Sequence, residues 1–530
     1  MAGLVQSPCD DAVIRSGTAT APCAKKAAAW ILSATILGSS MAFIDGTVVN
    51  VALAALQRDF NATVPDVQWV IEAYSLFLSA LLLLGGSLGD HYGRRRIFVL
   101  GVTFFALASA WCGLAPNIRQ LIYARAVQGA AAALLIPGSL AIISATFPKD
   151  GRARAIGTWS GFTAITAAIG PVLGGWLIEH ISWRAVFFLN LPLAAAVVII
   201  SFFHLPESRD DMEKARLDWT GALLATIGLG ALVYGLIESS RLGFGNPIVL
   251  IGLMTGFLVL GAFAIFEDRA KNPMLPLILF RSRNFTGANL LTLFLYSALG
   301  GTLFFVPLNL IQVQDYNATA AGAALLPFIL IMFLFSRWSG GLVERYGARL
   351  PLVVGPIVAA MGFALFALPG IGVSYWTYFF PAMVVLGFGM AISVAPLTTT
   401  VMNSVPENRV GVASGINNAV ARTAGLLAVA VFGILMLQEF NRALDAHLSK
   451  IELSPNVRHA LDSQRIKLAA IMIPGNVDPP ARQAIARAID ESFLNGFRMV
   501  MIAGAGLAFA GGIVGLGFIE GASSHKRASG

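Results

Sequence analysis

The sequence predicts an all-α integral membrane protein of fourteen transmembrane helices, in two six-helix halves with two further helices inserted between them. Three observations carry this expectation. Hydrophobic residues make up 57% and charged residues 12% of the 530 positions, and mean hydropathy is +0.75. The charged share is about half that of a soluble domain, so lipid has to be the solvent of much of the surface. Apolar runs long enough to cross about 30 Å of hydrocarbon, about 20 residues each, recur along the chain. Finally, the charged turn Gly86-Ser87-Leu88-Gly89-Asp90-His91-Tyr92-Gly93-Arg94-Arg95-Arg96 returns 254 residues later in degenerate form, as Gly340-Gly341-Leu342-Val343-Glu344-Arg345-Tyr346-Gly347-Ala348-Arg349. Duplicated membrane halves of this kind move against one another.

The spans fall at 28–54, 67–89, 97–115, 118–145, 154–179, 184–204, 218–238, 247–267, 285–312, 322–339, 350–369, 374–401, 411–437 and 495–519. An even number places both termini on one side. Counted over the tails and alternate short loops, 21 Lys and Arg residues lie on that side, Arg94, Arg95 and Arg96 among them, against 4 on the other, namely Arg58, Arg119, Arg184 and Arg241. The positive-inside rule then makes both termini cytoplasmic. The expected organisation is a cytoplasmic tail at 1–27, a first half at 28–205, a two-helix insertion with linkers at 206–283, a second half at 284–520, and a tail at 521–530. Within the second half, the external loop 438–494 carries charges of both signs. Residues 442–450, 457–470 and 481–493 have helical periodicity there, punctuated by Ser454-Pro455 and Pro479-Pro480. Gly157, Ser160 and Gly161 map onto Gly411, Ser414 and Gly415 at the same 254-residue offset, in support of the duplication.

Composition excludes several classes of function. The net charge of +8 is spread over the gaps between spans and does not form one basic surface, which argues against nucleic acid. Cys9, Cys23 and Cys112 are too few and too scattered for a disulfide framework or a metal cluster. The polar first 26 residues are too long for a cleavable signal peptide. No Gly-Lys dipeptide occurs, so a Walker loop is absent, and no His-Glu-x-x-His occurs. An ion gradient is then the expected energy source and no cofactor is needed. One charge crossing 100 mV supplies about 2.3 kcal/mol.

The motifs resemble those of the major facilitator superfamily, specifically its fourteen-helix drug:proton antiporter branch, over nearly the whole chain. The turn Gly86–Arg96 looks like the signature between that family's second and third helices. Arg125-Ala126-Val127-Gln128-Gly129 looks like its Arg-x-x-Gln-Gly. Gly170-Pro171-Val172-Leu173-Gly174-Gly175 is similar to the exporter motif, with Thr166 where glycine is usual. Ile44-Asp45-Gly46-Thr47-Val48-Val49-Asn50-Val51-Ala52-Leu53 resembles the first-helix motif of the branch, with Ala54 where proline is usual. The resemblance implies a multidrug efflux transporter of a bacterial cytoplasmic membrane and not an enzyme.

Each motif also has a physical reading. Asp45 and Glu72 are the acids well inside spans, and Arg125, Arg337 and Arg422 are the intramembrane bases. A charge at mid-membrane costs about 2.5–3.5 kcal/mol or more, so it faces a partner or a cavity. A desolvated carboxyl group exchanges protons nearer neutral pH than one in water. Asp45, with Glu72, is therefore the candidate for proton coupling or for binding a cationic substrate, and Arg125 the candidate modulator. Arg337, near a span end, is expected to snorkel. Gly86, Gly89, Asp90, Gly93, Arg94 and Arg95 form a candidate conformational latch, with glycines for close approach and an acid to pair with arginines. Gly157, Gly161, Gly170, Pro171, Gly174 and Gly175 form a candidate tight, kinked seam. Asn417 and Arg422 are packing or cavity candidates. The expected function is proton-coupled export of lipophilic, drug-like compounds by alternating access. The partners are a small-molecule substrate, protons and the bilayer; the chain is expected as a monomer, with a periplasmic adaptor left open. Export of one defined metabolite, peptide or lipid is the alternative within transport, and a non-transporting receptor or scaffold is the alternative outside it.

Overall fold

Among the described residues every regular element is helical. The computed structural model describes residues 22–147, 149–208, 218–270, 273–406 and 409–520. Residues 1–21 of the expected N-terminal tail, the tail 521–530 and most of the first linker lie outside these, as does the side chain of Arg337.

In chain order the helices are α1 Pro22–Phe60, α2 Val64–Tyr92, α3 Arg94–Leu114, α4 Ile118–Thr146, α5 Lys149–His180, α6 Trp183–Phe188, α7 Asn190–His204, α8 Trp219–Leu242, α9 Pro247–Arg269, α10 Arg283–Gln312, α11 Ala318–Ala323, α12 Leu326–Gly340, α13 Leu342–Tyr346, α14 Arg349–Leu365, α15 Phe380–Asn403, α16 Val410–Leu448, α17 Pro455–Asp462 and α18 Pro479–Phe518. Polar caps start several of them. Asn117 accepts from the Gln120 N–H, Ser182 from Arg184 and Ser282 from Phe285, which satisfies amides that have no partner within the helix. Twelve helical segments of the described chain are long and apolar enough to cross a membrane, and each coincides with an expected span. The other two expected spans fall on α5, several of whose side chains are outside the described set, and on α14. At 17 residues, α14 is about 25 Å long, short of a full crossing at 1.5 Å per residue.

The chain divides into two compact units. One comprises residues 1–49, 70–227 and 262–274, and the other 50–69, 228–261 and 275–530. The boundaries cut α1 after Val49 and α2 before Val70. In the first unit, Phe98 and Phe105 of α3 pack with Leu78 and Leu82 of α2 and with Ala132 and Leu135 of α4. Small residues set the spacing. A Cβ at Gly129 of α4 would collide with the Tyr74 carbonyl of α2, and one at Gly101 of α3 would lie 3.0 Å from the Leu134 side chain. In membranes, where lipid is as apolar as leucine, this close packing is what holds helices together.

In the second unit, Gly300 of α10 faces Gly425 of α16, where a Cβ would approach within 2.7 Å of the opposite Cα. Gly362 of α14 meets Leu386 of α15 at 2.6 Å in the same sense. The ends of α1 and α2 that belong to this unit are tied into it by polar contacts. Gln312 donates to Gln57 at 2.8 Å, Gln68 to the Val429 carbonyl at 3.0 Å, and Lys467 to Asn61 at 2.6 Å.

The segment 438–494 is helical as expected but partitioned differently. Its first helix is the continuation of α16 and its third is the start of α18. No proline or helix-ending turn separates Phe493 from the span that follows, and the buried stripe Ile485, Ile489, Phe493, Phe497, Val500 runs on without a break. The middle helix ends at Asp462, and a 3-10 turn with Leu468 at φ 54° follows. Arg458 and Arg465 brace this segment to Asp445 and Asp462, at 2.8–3.3 Å.

Candidate functional site

Expected site residues lie on four separate helices of the first unit: Asp45 on α1, Glu72 on α2, Arg125 on α4 and the Arg94–Arg96 run on α3. Asp45 and Arg125 meet. The Arg125 Nη1 group donates to Asp45 Oδ2 in an ion pair between residues 80 apart in sequence. Gln128, one turn from Arg125 on the same face of α4, completes a ring. It accepts from Arg125 at 2.7 Å and donates to Asp45 Oδ1 at 2.9 Å. Ser109 of α3 accepts from both Gln128 and Asn190 at 2.8 Å, and Asn190 of α7 also reaches Asp45 at 3.4 Å. Asp45, Arg125, Gln128, Ser109 and Asn190 are each 1% exposed or less.

Close helix packing aims the guanidinium. Because Gly129 lets α4 rest on α2, Arg125 Nε donates to the Val70 carbonyl at 3.0 Å and its guanidinium carbon sits 4.3 Å from the Tyr74 ring centre. That contact adds cation–π attraction to the ion pair. The pair is buried, and Arg125 Nε and Nη1 and both Asp45 oxygens are hydrogen-bonded, which helps two buried charges to offset their desolvation. Chemically, a neutral pair of this kind can open: a proton on Asp45 would cancel its charge and leave Arg125 to seek another anion or dipole.

Glu72 does not join the ring. It is 1% exposed, and its Oε2 is buried with no hydrogen-bond partner among the described residues. A carboxyl oxygen left so costs free energy unless it carries a proton or gains a partner.

The exporter-type seam lies beside Asp45. A Cβ at Gly170 of α5 would collide with the Thr47 hydroxyl, and one at Gly174 would lie 2.7 Å from Val48. Both neighbours are on α1, two and three residues beyond Asp45. Pro171 lies inside α5 and Gly175 is buried. Among the described residues a Cβ at Gly157 would meet nothing within 4 Å, and Gly161 is half-buried.

The charged turn gains a partner that the sequence did not single out. Asp90 bonds Arg94 within its own turn at 2.8 Å. Glu207, just after α7, accepts the Arg95 backbone N–H at 3.1 Å and lies 3.5 Å from Arg96 Nε, while the Arg95 side chain donates to the Leu205 carbonyl at 2.9 Å. Gly93 explains why. It is the N-cap of α3 with φ 108° and has no capping side chain, and a Cβ there would lie 2.6 Å from Glu207 Oε1. Glycine admits that backbone and clears room for the borrowed carboxylate, which also offsets three arginines at the positive end of the helix dipole. Gly86 meets Pro137, and Gly89 lies 4.0 Å from Arg94 in the same sense.

In the second unit, Asn417 of α16 donates to Thr292 at 2.7 Å and to Asn289 at 3.2 Å, both on α10. Arg422 lies within electrostatic reach of Tyr296. The sequence did not mark Ser109, Asn190, Tyr74 or Glu207. Only Gln128 carried a signal, its three-residue spacing from Arg125. No group of three or more His, Cys, Asp or Glu positioned to hold a metal occurs among the described residues.

Comparison with known proteins agrees with this architecture. The profile of the Major Facilitator Superfamily matches residues 35–429. The chain is 34% identical over 484 residues to the multidrug resistance protein Stp of Mycobacterium tuberculosis (strain CDC 1551 / Oshkosh), covering 89% of this chain and 88% of that protein. It is 32% identical over 510 residues to the tetracenomycin C resistance and export protein of Streptomyces glaucescens, covering 94% and 92%. A bacterial homologue of the human lysosomal transporter Spinster shares the fold at TM-score 0.63 and 17% identity, covering 94% of this chain and 99% of that one. With a family match over most of its spans and relatives of this kind along nearly its whole length, the chain belongs to the Major Facilitator Superfamily and is a transporter related to multidrug efflux proteins.

Proposed function

We propose that this chain exports lipophilic, drug-like compounds across the bacterial cytoplasmic membrane in exchange for protons. It does so by alternating access of two six-helix halves, 28–205 and 284–520, with both termini cytoplasmic. The observation that carries the proposal is the buried Asp45–Arg125–Gln128 ring, in a chain whose relatives include a multidrug resistance protein. A charge pair this deep is expensive in a membrane protein unless it works. In the proposed cycle a proton neutralises Asp45, Arg125 lets go of it while keeping its bonds to Gln128 and the Val70 carbonyl, and α1 is freed to move along the Gly170–Gly174 seam. Glu72, with one oxygen unpartnered, is the second proton carrier. The gradient supplies the energy, no cofactor takes part, and the chain works as a monomer. Export of one defined compound is the second reading, favoured by the relative named for tetracenomycin C.

The test is proton-coupled flux of a lipophilic cation such as ethidium in proteoliposomes. Asp45→Asn should lower gradient-driven flux by about tenfold or more, since it breaks a buried pair. The double change Asp45→Asn, Arg125→Gln restores neutrality. It should fold as well as the parent and still fail to couple. Uphill flux that survives in the folded double variant, or that persists in the parent without a proton gradient, would refute the proposal.

A further inference from the structure

We propose that the second unit carries a binding site for the phosphate headgroup of a phospholipid, at the end of α18 nearest the 438–494 segment. A cavity of about 350 Å³ opens there, lined by Gly370, His447, Arg487, Glu491, Asn495 and Arg498 among others. Its chemistry is cationic with one acid. Arg487 Nε donates to Glu491 Oε1 at 2.9 Å, and Arg498 Nη2 donates to the Pro369 carbonyl at 3.1 Å. Each guanidinium has five N–H donors, so these bonds anchor the groups and leave most of their donors for a ligand. His447 sits between Ser492 Oγ at 3.1 Å and Glu491 at 3.5 Å, which fixes the ring at the cavity wall. Two arginines against one glutamate leave one positive charge, the complement of a singly charged phosphodiester. Guanidinium–phosphate pairing is short, directional and strong.

Position in the bilayer selects a lipid as the source of that phosphate. Arg498 stands twenty residues before Phe518, the last residue of α18, about 30 Å at 1.5 Å per residue, which is the hydrocarbon thickness. At the Phe518 end, Arg283 and Arg349 bond the carbonyls of Gly517 and Leu516 and mark the opposite boundary. Between the two levels, Ile502, Phe509, Ile513 and Leu516 are exposed and recur at helical spacing on the Arg498 side of α18. Leu368 and Ile371 are exposed beside the cavity loop. An acyl chain lying along this stripe would bring its phosphate into the cavity that Arg498 and Arg487 both line; the Arg487 backbone is about 16 Å further along the helix axis, but its side chain is bonded back to Glu491, one turn towards Arg498.

The full chain, purified in detergent and delipidated, is titrated in native mass spectrometry with phosphatidylglycerol, with diacylglycerol of the same acyl chains, and with inorganic phosphate. Phosphatidylglycerol should be retained in preference to diacylglycerol, and Arg487→Gln should weaken its binding about tenfold, the equivalent of one charge-assisted hydrogen bond. Arg498→Gln should do the same, but it also removes the bond to Pro369. Arg487 is exposed and its bond to Glu491 stays within α18, so Arg487→Gln remains informative if the other variant misfolds. Equal retention of the two lipids, or phosphatidylglycerol binding unchanged in Arg487→Gln, would overturn the site. Displacement of the lipid by inorganic phosphate at matching concentration would overturn the choice of a lipid in favour of a free anion.

Discussion

At the scale of the residue, the free energy of burial decides which charges are tolerated. Asp45 and Arg125 are both enclosed and are kept by mutual attraction and by the Gln128, Ser109 and Asn190 hydrogen bonds. Removing one partner of such a pair costs about 3–5 kcal/mol, because it strands the other charge. Outside the spans the same balance is visible at Asp490. Burial first, then the neighbouring carboxylates of Asp315 and Glu491, push its carboxyl up from 3.8 to about 6. A raised carboxyl value means that the folded protein holds the proton more tightly than the unfolded chain, so stability is full at low pH and falls as pH rises through about 6. Asp490→Asn should therefore raise the melting temperature more at about pH 8 than at about pH 4.5, where the native side chain is already largely protonated in the fold. A gain that is the same at both values would show that Asp490 carries no such strain.

At the scale of the element, helix ends depend on groups brought from far away. The N-terminus of α3 begins with three arginines after an uncapped glycine, an arrangement that its own dipole disfavours. Glu207 remedies it from 112 positions away. Replacing it by Gln removes the charge that pairs with Arg95 and Arg96 while nearly preserving shape. We expect Glu207→Gln to speed hydrogen exchange at the Arg95 amide about tenfold, for a loss of about 1.4 kcal/mol. Unchanged exchange there would show that the Glu207 charge does not hold the start of α3. The 438–494 segment is held in a related way, by Arg458 and Arg465 on two aspartates and by Lys467 on Asn61. Surface ion pairs are individually weak, but a network that shares its acids fixes several side chains at once.

At the scale of the whole molecule, the membrane imposes both helicity and orientation. Backbone groups find no water partner in hydrocarbon, so each span satisfies its own, and the positive charges sort to one side. The native cysteines give a direct check. Cys9 and Cys23 lie at the N-terminal end, while Cys112 is buried. A membrane-impermeant maleimide should label the chain after cells are permeabilised and leave it unlabelled in intact cells. Labelling in intact cells would reverse the orientation.

The sequence by itself determined the membrane class, the position of twelve of the spans and the family, because hydropathy, loop charge and short motifs are local properties that one chain displays without folding. It singled out Asp45 and Arg125 for the same reason: a charge within an apolar run is conspicuous wherever it points. Only the tertiary structure decided that these two are partners, that Glu72 is not with them, and that Ser109, Asn190 and Glu207 complete the two polar clusters. Those choices depend on helix rotation and on close approach at Gly129 and Gly93. Rotation is set by packing between helices distant in sequence, and neither hydropathy nor spacing records which face of a wholly apolar helix turns inward.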